Sequence, residues 1–487
     1  MMNRQLSRRN LLAGSVAGAA AGAVAGAGAG ALALINPGMA AAQSVGVKSG
    51  DLPDLTIKEV KVYVTDIADV RHLNSTETGE LLSVVTNSGH EGNYTIGNRN
   101  RTEGWLEWAK AALVGKNVLD VLPTLTATSG MKGIAGFGAG NRGGGGGGRG
   151  GGAGGAGRGA GSPAGGQGSG TFATGLTGRG MGPAFGGASV AGSGLTPRGG
   201  GSWPNYYTAA ADVCLWDILG KAVNRPIYKI LGGTKDRMMG YASSQHLATV
   251  EDFAPDALKA KELGYKAYKV HPGGGQHATG GPIPAYAGHM EELKTIRKAV
   301  GDEFVLAHDP VQRYNRFEAM KVGRLCDELD FAWYEDPIRT SDTEGLVELC
   351  TQLSLPIHVG EFLYSIADFA EYIRRGALDV VRLIADNVGG ISGSMRVGLL
   401  ADAFGLECTP HNWGNVLDLA VHFHLELALP NAYWFEVPFP AEYADRPYHK
   451  DKFRIDKDGY ILAPTAPGLG YPIDRAALDK ITKKIDR

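Results

Sequence analysis

Six acidic or imidazole side chains recur at nearly constant intervals along the C-terminal half of the chain. They are Asp309, Glu335, Glu361, Asp386, His411 and Glu436, separated by 26, 26, 25, 25 and 25 residues. Each lies at the end of a short apolar run, and a helical pattern separates each run from the next. Because one strand-plus-helix unit of a parallel barrel has about this length, the spacing predicts that the six side chains converge on one mouth of the barrel.

Three successive carboxylates in this series indicate a metal site. Asp309, Glu335 and Glu361 would repel one another strongly if they met without a cation between them. All-oxygen ligation suits Mg²⁺ or Mn²⁺ rather than Zn²⁺. A single acid at such a position is more often a solvated loop residue or a helix cap, but three in register favour the metal.

Groups able to move protons flank the three carboxylates. Asp386 and His411 on the next two strands are expected to pair, so that the carboxylate fixes the tautomer of the ring. On the other side, strand alternation directs both Lys269 and His271 towards the barrel interior. We expect a bound cation to lower the pKa of Lys269 towards that of a useful base. Which of Lys269 and His271 is the second base stays open.

The elements that position these residues alternate from about residue 265 onwards between short apolar strands and helical stretches such as 316–329 and 394–404. Short loops join them, which is typical of parallel strand–helix units, and this number of units predicts a closed α/β barrel.

Residues 1–42 are predicted to be a twin-arginine export signal. Ser7–Leu12 carries the two arginines, an Ala/Gly-rich run follows, and Ala40–Ala42 precede Gln43 as a cleavage site. The apolar run is too poor in Leu and Val for a stable membrane span after processing. We therefore expect a periplasmic or secreted protein.

The segment 133–201 is predicted to be a disordered insert. It holds 33 of the 74 glycines and no Lys, Asp or Glu, so it cannot bury enough apolar surface to offset the entropy of ordering. Its Arg-Gly-Gly repeats at Arg142, Arg149 and Arg198 have few aromatic neighbours, so we do not expect nucleic-acid binding. Without signal and insert the body has a net charge of about −10, which favours a bound cation at an anion-handling site.

Over most of residues 53–475 outside the insert, the sequence resembles the enolase superfamily, specifically its mandelate-racemase-like branch. The motifs that carry the resemblance are Asp212–Lys221, Pro226, Leu231–Gly233, Trp333–Pro337, Gly360–Glu361 and Gly389–Ile391. The resemblance implies a modified (β/α)₇β TIM-like barrel with an α+β capping domain. The implied boundaries are 53–132 for the N-terminal part of the cap, 202–238 for its helix and connection, 239–440 for the barrel and 441–487 for a C-terminal segment packing on the cap.

The resemblance also implies chemistry: Mg²⁺-dependent abstraction of the proton α to a carboxylate, through an enediolate. Asp309, Glu335 and Glu361 would ligate the metal, and His411 would act as base or acid. Glu436 matches the acid that hydrogen-bonds the substrate. Two departures are His271, where Lys-x-Lys is expected on that strand, and Val311, where many relatives have Asn or His.

Dehydration of a sugar acid is the reaction we expect, because polyol acids are common substrates in this branch. The first alternative is a racemase or epimerase of a hydroxy acid, since bases on two faces permit it. The second is an exported barrel that binds a sugar acid without turning it over. The expected partner is a small carboxylate substrate, and we expect a homo-oligomer.

Overall fold

The computed structural model describes residues 52–66, 79–95, 99–128, 203–273 and 285–487. The predicted export signal, 1–42, and the predicted insert, 133–201, lie outside the described residues. Within these described ranges every helix is too short or too polar to cross a bilayer.

The N-terminal elements form the cap. They are β1 (Ile57–Thr65), β2 (Gly79–Thr86), β3 (Glu91–Thr95), α1 (Arg99–Leu113), α2 (Val118–Thr128), α3 (Trp203–Ala222) and α4 (Ile227–Ile230). The three strands form an antiparallel meander in which Val62 lies opposite Leu82, and Leu82 opposite Tyr94. Gly92 lets β3 pack directly on α3, because a Cβ there would collide with the backbone carbonyl of Cys214.

The barrel follows in regular strand–helix alternation. Its elements are β4 (Arg237–Ser243), α5 (Val250–Glu262), β5 (Ala267–Val270), α6 (Ala285–Val300), β6 (Val305–His308), α7 (Arg316–Glu328), β7 (Trp333–Glu335), α8 (Thr343–Gln352), β8 (Ile357–Val359), α9 (Ile366–Arg375), β9 (Val380–Val381), α10 (Ala385–Val388), α11 (Gly390–Ala403), β10 (Glu407–Cys408), α12 (Val416–Ala428) and β11 (Trp434–Pro438). The strand order is β10-β9-β8-β7-β6-β5-β4-β11, and every pair is parallel. The Cys408 N–H donates to the Asn431 carbonyl at 3.0 Å, which joins β10 to the segment entering β11. The predicted fold class, a (β/α)₇β barrel with an α+β cap, is confirmed.

The C-terminal elements bind to both parts of the fold. They are β12 (Tyr460–Leu462), α13 (Arg475–Ile481) and β13 (Thr482–Asp486). β12 pairs antiparallel with β4 of the barrel, and β13 pairs antiparallel with β1 of the cap. The segment after residue 440 therefore contacts the barrel as well as the cap sheet.

Local capping signals fix where the barrel helices begin after the strand ends. Asn315 caps α7 and exchanges hydrogen bonds with Glu318, and Asn415 caps α12 and exchanges them with Asp418. Because these caps lie six and four residues after Asp309 and His411, they hold short loops that carry both side chains at the barrel mouth.

Two buried aspartates of α3 fasten the cap to the rest of the molecule. Asp217 accepts hydrogen bonds from the backbone N–H of Asn93 on β3 and of Leu469 near the C-terminus. Asp212 accepts from the backbone N–H of Ser392 on α11 at 3.0 Å. This accounts physically for the motif around Asp212–Lys221, whose two aspartates accept hydrogen bonds from β3, from α11 and from the loop at Leu469.

Candidate active site

Three carboxylates meet at the C-terminal ends of neighbouring barrel strands. Asp309 follows β6 directly, Glu335 ends β7, and Glu361 lies two residues beyond β8. One oxygen from each of the three lies within 4.8 Å of the others, and all three side chains are buried. The structure thus brings together the residues that the sequence spacing assigned to a metal.

A glycine in a left-handed backbone conformation directs the third carboxylate into this group. Gly360 has φ +141°, and a Cβ there would lie 2.7 Å from the Arg382 carbonyl oxygen and 2.6 Å from the Phe369 ring. Only glycine accepts both the backbone conformation and the close approach without strain. This explains why a glycine precedes Glu361 in the sequence: the turn at Gly360 directs the Glu361 side chain over the barrel.

The chemistry of this group fits a hard divalent cation. Burial raises the pKa of Glu361 well above its usual range, and the nearby Asp336, Asp309 and Glu335 raise it further. Among the described residues, one oxygen of Glu335 is buried without a hydrogen-bond partner. Three crowded carboxylates with an unpartnered oxygen are suited to Mg²⁺ or Mn²⁺, which prefer oxygen ligands.

Lys269 lies beneath the carboxylates and contacts several of them. Its Nζ is 3.0 Å from Asp309 Oδ2, 2.8 Å from Glu335 Oε1 and 2.7 Å from Glu436 Oε1, and the side chain is fully buried. Burial alone would lower the pKa of Lys269, but the three carboxylates outweigh it and raise the pKa well above its usual range. The effect of a bound cation on the pKa of Lys269 stays a prediction.

Arg382 is a site residue that sequence reasoning missed. It follows β9 and is 1% exposed, its Nε donates to Glu335 Oε1 at 2.6 Å, and its Nη2 contacts Glu436. Its Nη1 donates to the carbonyls of Thr409 and Pro410 at 3.1 and 2.9 Å. The available signal was a lone arginine directly after the apolar pair Val380–Val381.

Lys269, Arg382, Glu335 and Glu436 together form what we call the charged layer. Glu436 has two hydrogen bonds in addition to its ion pairs. Its Oε1 accepts one of 2.7 Å from the Ser243 hydroxyl, and its Oε2 accepts one of 2.8 Å from the Asn412 N–H. Two cations and two anions make the layer neutral. The remaining charges of the metal group are those of Asp309 and Glu361, and their sum matches one divalent cation.

Asp386 lies at a different position from the one its spacing predicts. β9 ends at Val381, so Asp386 is not at a strand end but in the first turn of α10, where it is half-buried. Its Oδ1 accepts a hydrogen bond of 2.8 Å from the hydroxyl of Tyr94 on β3. The physical reason is that the chain turns into a helix after 382–384 instead of extending the strand. The pairing of Asp386 with His411 stays a prediction.

Two imidazoles approach two different carboxylates of the metal group. His411 Nε2 lies 3.7 Å from Glu361 Oε1, and burial lowers the pKa of His411 well below its usual range. His271 Nε2 lies 3.0 Å from Asp309 Oδ2. The other ring nitrogen of His271, Nδ1, is 2.7 Å from the Ser244 carbonyl, which can only accept, so Nδ1 carries a proton.

Polar groups on the neighbouring loops were also missed by sequence reasoning. Gln245 follows β4, and Gln312 follows β6 with φ +60°. The Nε2 of each is buried and has no hydrogen-bond partner among the described residues. Nothing in the sequence distinguished these amides from others, yet both lie on loops at the strand ends that form the mouth.

Residues 252–477 match the family described as Enolase C-terminal domain-like. Arabinonate dehydratase of Saccharolobus solfataricus is 31% identical over 270 residues, which are 54% of this chain and 69% of that protein. The chain belongs to the enolase superfamily, in its mandelate-racemase-like branch. L-talarate/galactarate dehydratase of Salmonella typhimurium is 29% identical over 55% of this chain and 63% of its own length. Because these members of the superfamily are enzymes, the prediction of an enzyme is confirmed.

A solved structure gives the same picture of the fold. D-glucarate dehydratase from Agrobacterium tumefaciens, in complex with magnesium, superimposes with a TM-score of 0.66, covering 89% of this chain and all of that one. Its identity of 23% supports a shared fold only. The enolase-type barrel with its cap is thus common to both proteins.

Proposed function

We propose that this superfamily member is a Mg²⁺-dependent dehydratase of a sugar acid. The observation that carries the proposal is the buried carboxylate group at the barrel mouth, with His271 against Asp309 and His411 against Glu361. The names of the relatives, an arabinonate and a talarate/galactarate dehydratase, supply the substrate class. Loss of the proton α to the carboxylate and of a β-hydroxyl as water would give a 2-keto-3-deoxy acid.

Asp309, Glu335 and Glu361 are the residues that would hold the cation. When bound there, Mg²⁺ would supply positive charge next to the substrate oxygens that become anionic as the α-proton leaves. The magnesium complex of the glucarate dehydratase with this fold supports the choice of metal. Arg382 and Lys269 both contact Glu335 Oε1 and favour its ionised form, which opposes burial, the larger effect, which raises the pKa of Glu335.

His411 is the residue we assign to proton transfer. The depressed pKa keeps its ring neutral near pH 7, so a ring nitrogen can accept the α-proton. The same ring then donates that proton to the departing β-hydroxyl, and water leaves. The proton is thus returned within the reaction, and His411 ends the cycle in its starting state.

His271 is a better candidate than Lys269 for the second face. Lys269 is fully buried and contacts three carboxylates, so we assign its ammonium to the charged layer and not to proton transfer. The His271 ring lies nearer the mouth, 7% exposed, with Nδ1 fixed by the Ser244 carbonyl. Imidazoles on two sides of the metal group are also what a racemase or epimerase requires, and this keeps that reaction as the second candidate.

A screen of aldonic and aldaric acids with Mg²⁺ tests the proposal. We expect one of them to give a 2-keto-3-deoxy acid, detected as its semicarbazone. His411→Asn should lower kcat by at least about 100-fold, because a lost general acid–base costs that much. His90→Asn on the cap hairpin, where the ring forms a hydrogen bond with the Ser88 hydroxyl, is the matched control and should keep full activity.

A second readout separates metal binding from turnover. Glu361→Gln should weaken Mg²⁺ binding in calorimetric titration, since a charged oxygen ligand becomes a neutral one. Deuterium incorporation from solvent without loss of water would favour the racemase instead. A folded protein that binds no Mg²⁺ and turns over no acid would refute the proposed reaction and favour the non-catalytic binder.

A further inference from the structure

An exposed arginine, Arg313, lies on the loop that joins β6 to α7 at the catalytic mouth. It follows the metal ligand Asp309 by four residues. Its Nη1 donates a hydrogen bond of 2.9 Å to the carbonyl of Pro272, the residue directly after His271. This bond fixes the guanidinium next to the backbone of the imidazole that we assign to the second face.

A second histidine, His246, determines which donors of Arg313 remain available. The Nδ1 of His246 lies 2.9 Å from the Pro272 carbonyl and 3.3 Å from Arg313 Nη2. A carbonyl can only accept, so the shorter contact requires a proton on Nδ1, and that nitrogen then cannot accept from the guanidinium. With respect to the described residues, the Nη2 of Arg313 therefore keeps its N–H groups for another acceptor.

The charge of Arg313 is not neutralised within the described part of the chain, where its two partners are a backbone carbonyl and a ring. Burial lowers the pKa of His246 to about 3, so this ring is neutral near pH 7. Glu292 is a buried acid of α6 that accepts from the Gly273 N–H at 3.3 Å. Burial raises its pKa to about 8 despite the nearby Arg313, so Glu292 is mostly protonated near pH 7.

Two imidazole rings connect this guanidinium with the metal group. The ring of His246 meets that of His271 edge-on, with 5.2 Å between the centroids. The Nε2 of His271 in turn lies 3.0 Å from Asp309 Oδ2. A substrate that has its first carboxylate at the metal group and extends over these rings therefore brings its far end to Arg313.

The backbone holds the loop that carries Arg313 in an uncommon conformation. Val311 and Gln312 have φ +52° and +60°, in the left-handed region that residues other than glycine seldom adopt. The Val311 N–H donates to Asp309 Oδ1 at 2.9 Å, and the Gln312 N–H donates to the Asp336 carbonyl at 2.7 Å. Such conformations cluster at ligand sites, where the surrounding structure maintains them.

We propose that Arg313 binds a second carboxylate at the far end of the substrate, so that aldaric acids are preferred to aldonic acids. This inference rests on the proposed dehydratase function and names its substrate class. The planar fork of a guanidinium matches the two oxygens of a carboxylate. An aldonic acid has a neutral hydroxymethyl group at that position and would leave the charge of Arg313 without a partner.

Pairs of sugar acids that differ only at C6 test the proposal. With Mg²⁺ present, galactarate, glucarate and mannarate are compared with galactonate, gluconate and mannonate. In the pair that is turned over, kcat/KM should be at least about tenfold higher for the di-acid, because a hydrogen bond to a charged group contributes that much. Arg313→Met should raise KM for the di-acid about tenfold and leave kcat/KM for the mono-acid within about twofold. Arg324→Met, at an exposed arginine of α7, is the control and should change neither value.

Two outcomes of the kinetics would overturn the proposal. An equal loss for both acids in Arg313→Met would mean that the side chain only holds the loop. Turnover of mono-acids alone would remove the preference for di-acids, while the dehydratase function would stand.

A binding measurement decides the question without turnover. Adipate and 6-hydroxyhexanoate are six-carbon probes that differ only in the second carboxylate, and saturation-transfer NMR gives their Kd on the full-length protein with Mg²⁺. Adipate should bind about tenfold more tightly, Arg313→Met should abolish the difference, and Arg313→Lys should restore part of it. Equal affinities in the parent protein would overturn the proposal, as would tighter binding of 6-phosphogluconate than of glucarate.

Discussion

Arg382 offers a stringent test of the charged layer. Arg382→Met removes its contacts to Glu335 and Glu436 and the hydrogen bonds to two backbone carbonyls, while keeping an unbranched apolar stem. The layer then changes from neutral to a net charge of −1 in the barrel interior. Because breaking a buried ion pair leaves an uncompensated charge, we expect a loss of about 3–5 kcal/mol in the free energy of unfolding.

Thermal unfolding followed by circular dichroism measures this loss, and at roughly 2–4 °C per kcal/mol Tm should fall by about 6–20 °C. Adding Glu436→Gln restores neutrality and should recover part of the stability, which a double-mutant cycle quantifies. Arg374→Met is the control, since that side chain is 68% exposed and its pair with Glu371 is a surface pair. If Arg382→Met melts within about 1 °C of the parent protein, the layer is not the electrostatic unit described above.

Two further predictions concern the links between cap and barrel. Burial raises the pKa of Asp212 from 3.8 to about 7, so the folded state holds a proton that the unfolded state releases, and stability should fall by about 4 kcal/mol as pH rises from 4 to 7. Asp212→Asn should therefore exceed the parent Tm by more at pH 8 than at pH 5, and an equal difference at both pH values would contradict this. Tyr94→Phe removes the hydrogen bond to Asp386 and should cost about 2 kcal/mol in chemical denaturation. A double-mutant cycle with Asp386→Asn should give a clear coupling energy, and additive effects would mean that the bond contributes nothing.

The metal ligands could be predicted from sequence because they recur at intervals of one strand–helix unit. Asp309, Glu335 and Glu361 each lie within two residues of a strand end, and adjacent parallel strands end at one edge, so equal spacing is enough to bring them together. Asp386 broke the rule despite equal spacing, since β9 is only two residues long and the chain after it coils into α10. Periodicity measures the length of a unit and cannot tell where within that unit the strand stops.

The charged layer could not be predicted in the same way. Arg382 forms its contacts across the barrel to Glu335 and Glu436, 47 and 54 residues away along the chain. No local pattern encodes such a contact, because the interior of a barrel is made from alternate positions of every strand. Strand alternation on β5 predicted that Lys269 faces the barrel interior. Its role, however, depends on three carboxylates that come together only in the closed barrel.

The pairing of β13 with β1 has a consequence for how the protein is made. Residues about 420 positions apart, such as Val62 and Asp486, are neighbours in the cap sheet. During synthesis β1 leaves the ribosome long before β13, so the β1 edge of the cap sheet stays open until the segment that carries β13 has been made. A chain cut between β11 and β13 would keep its barrel strands but expose the edge of β1.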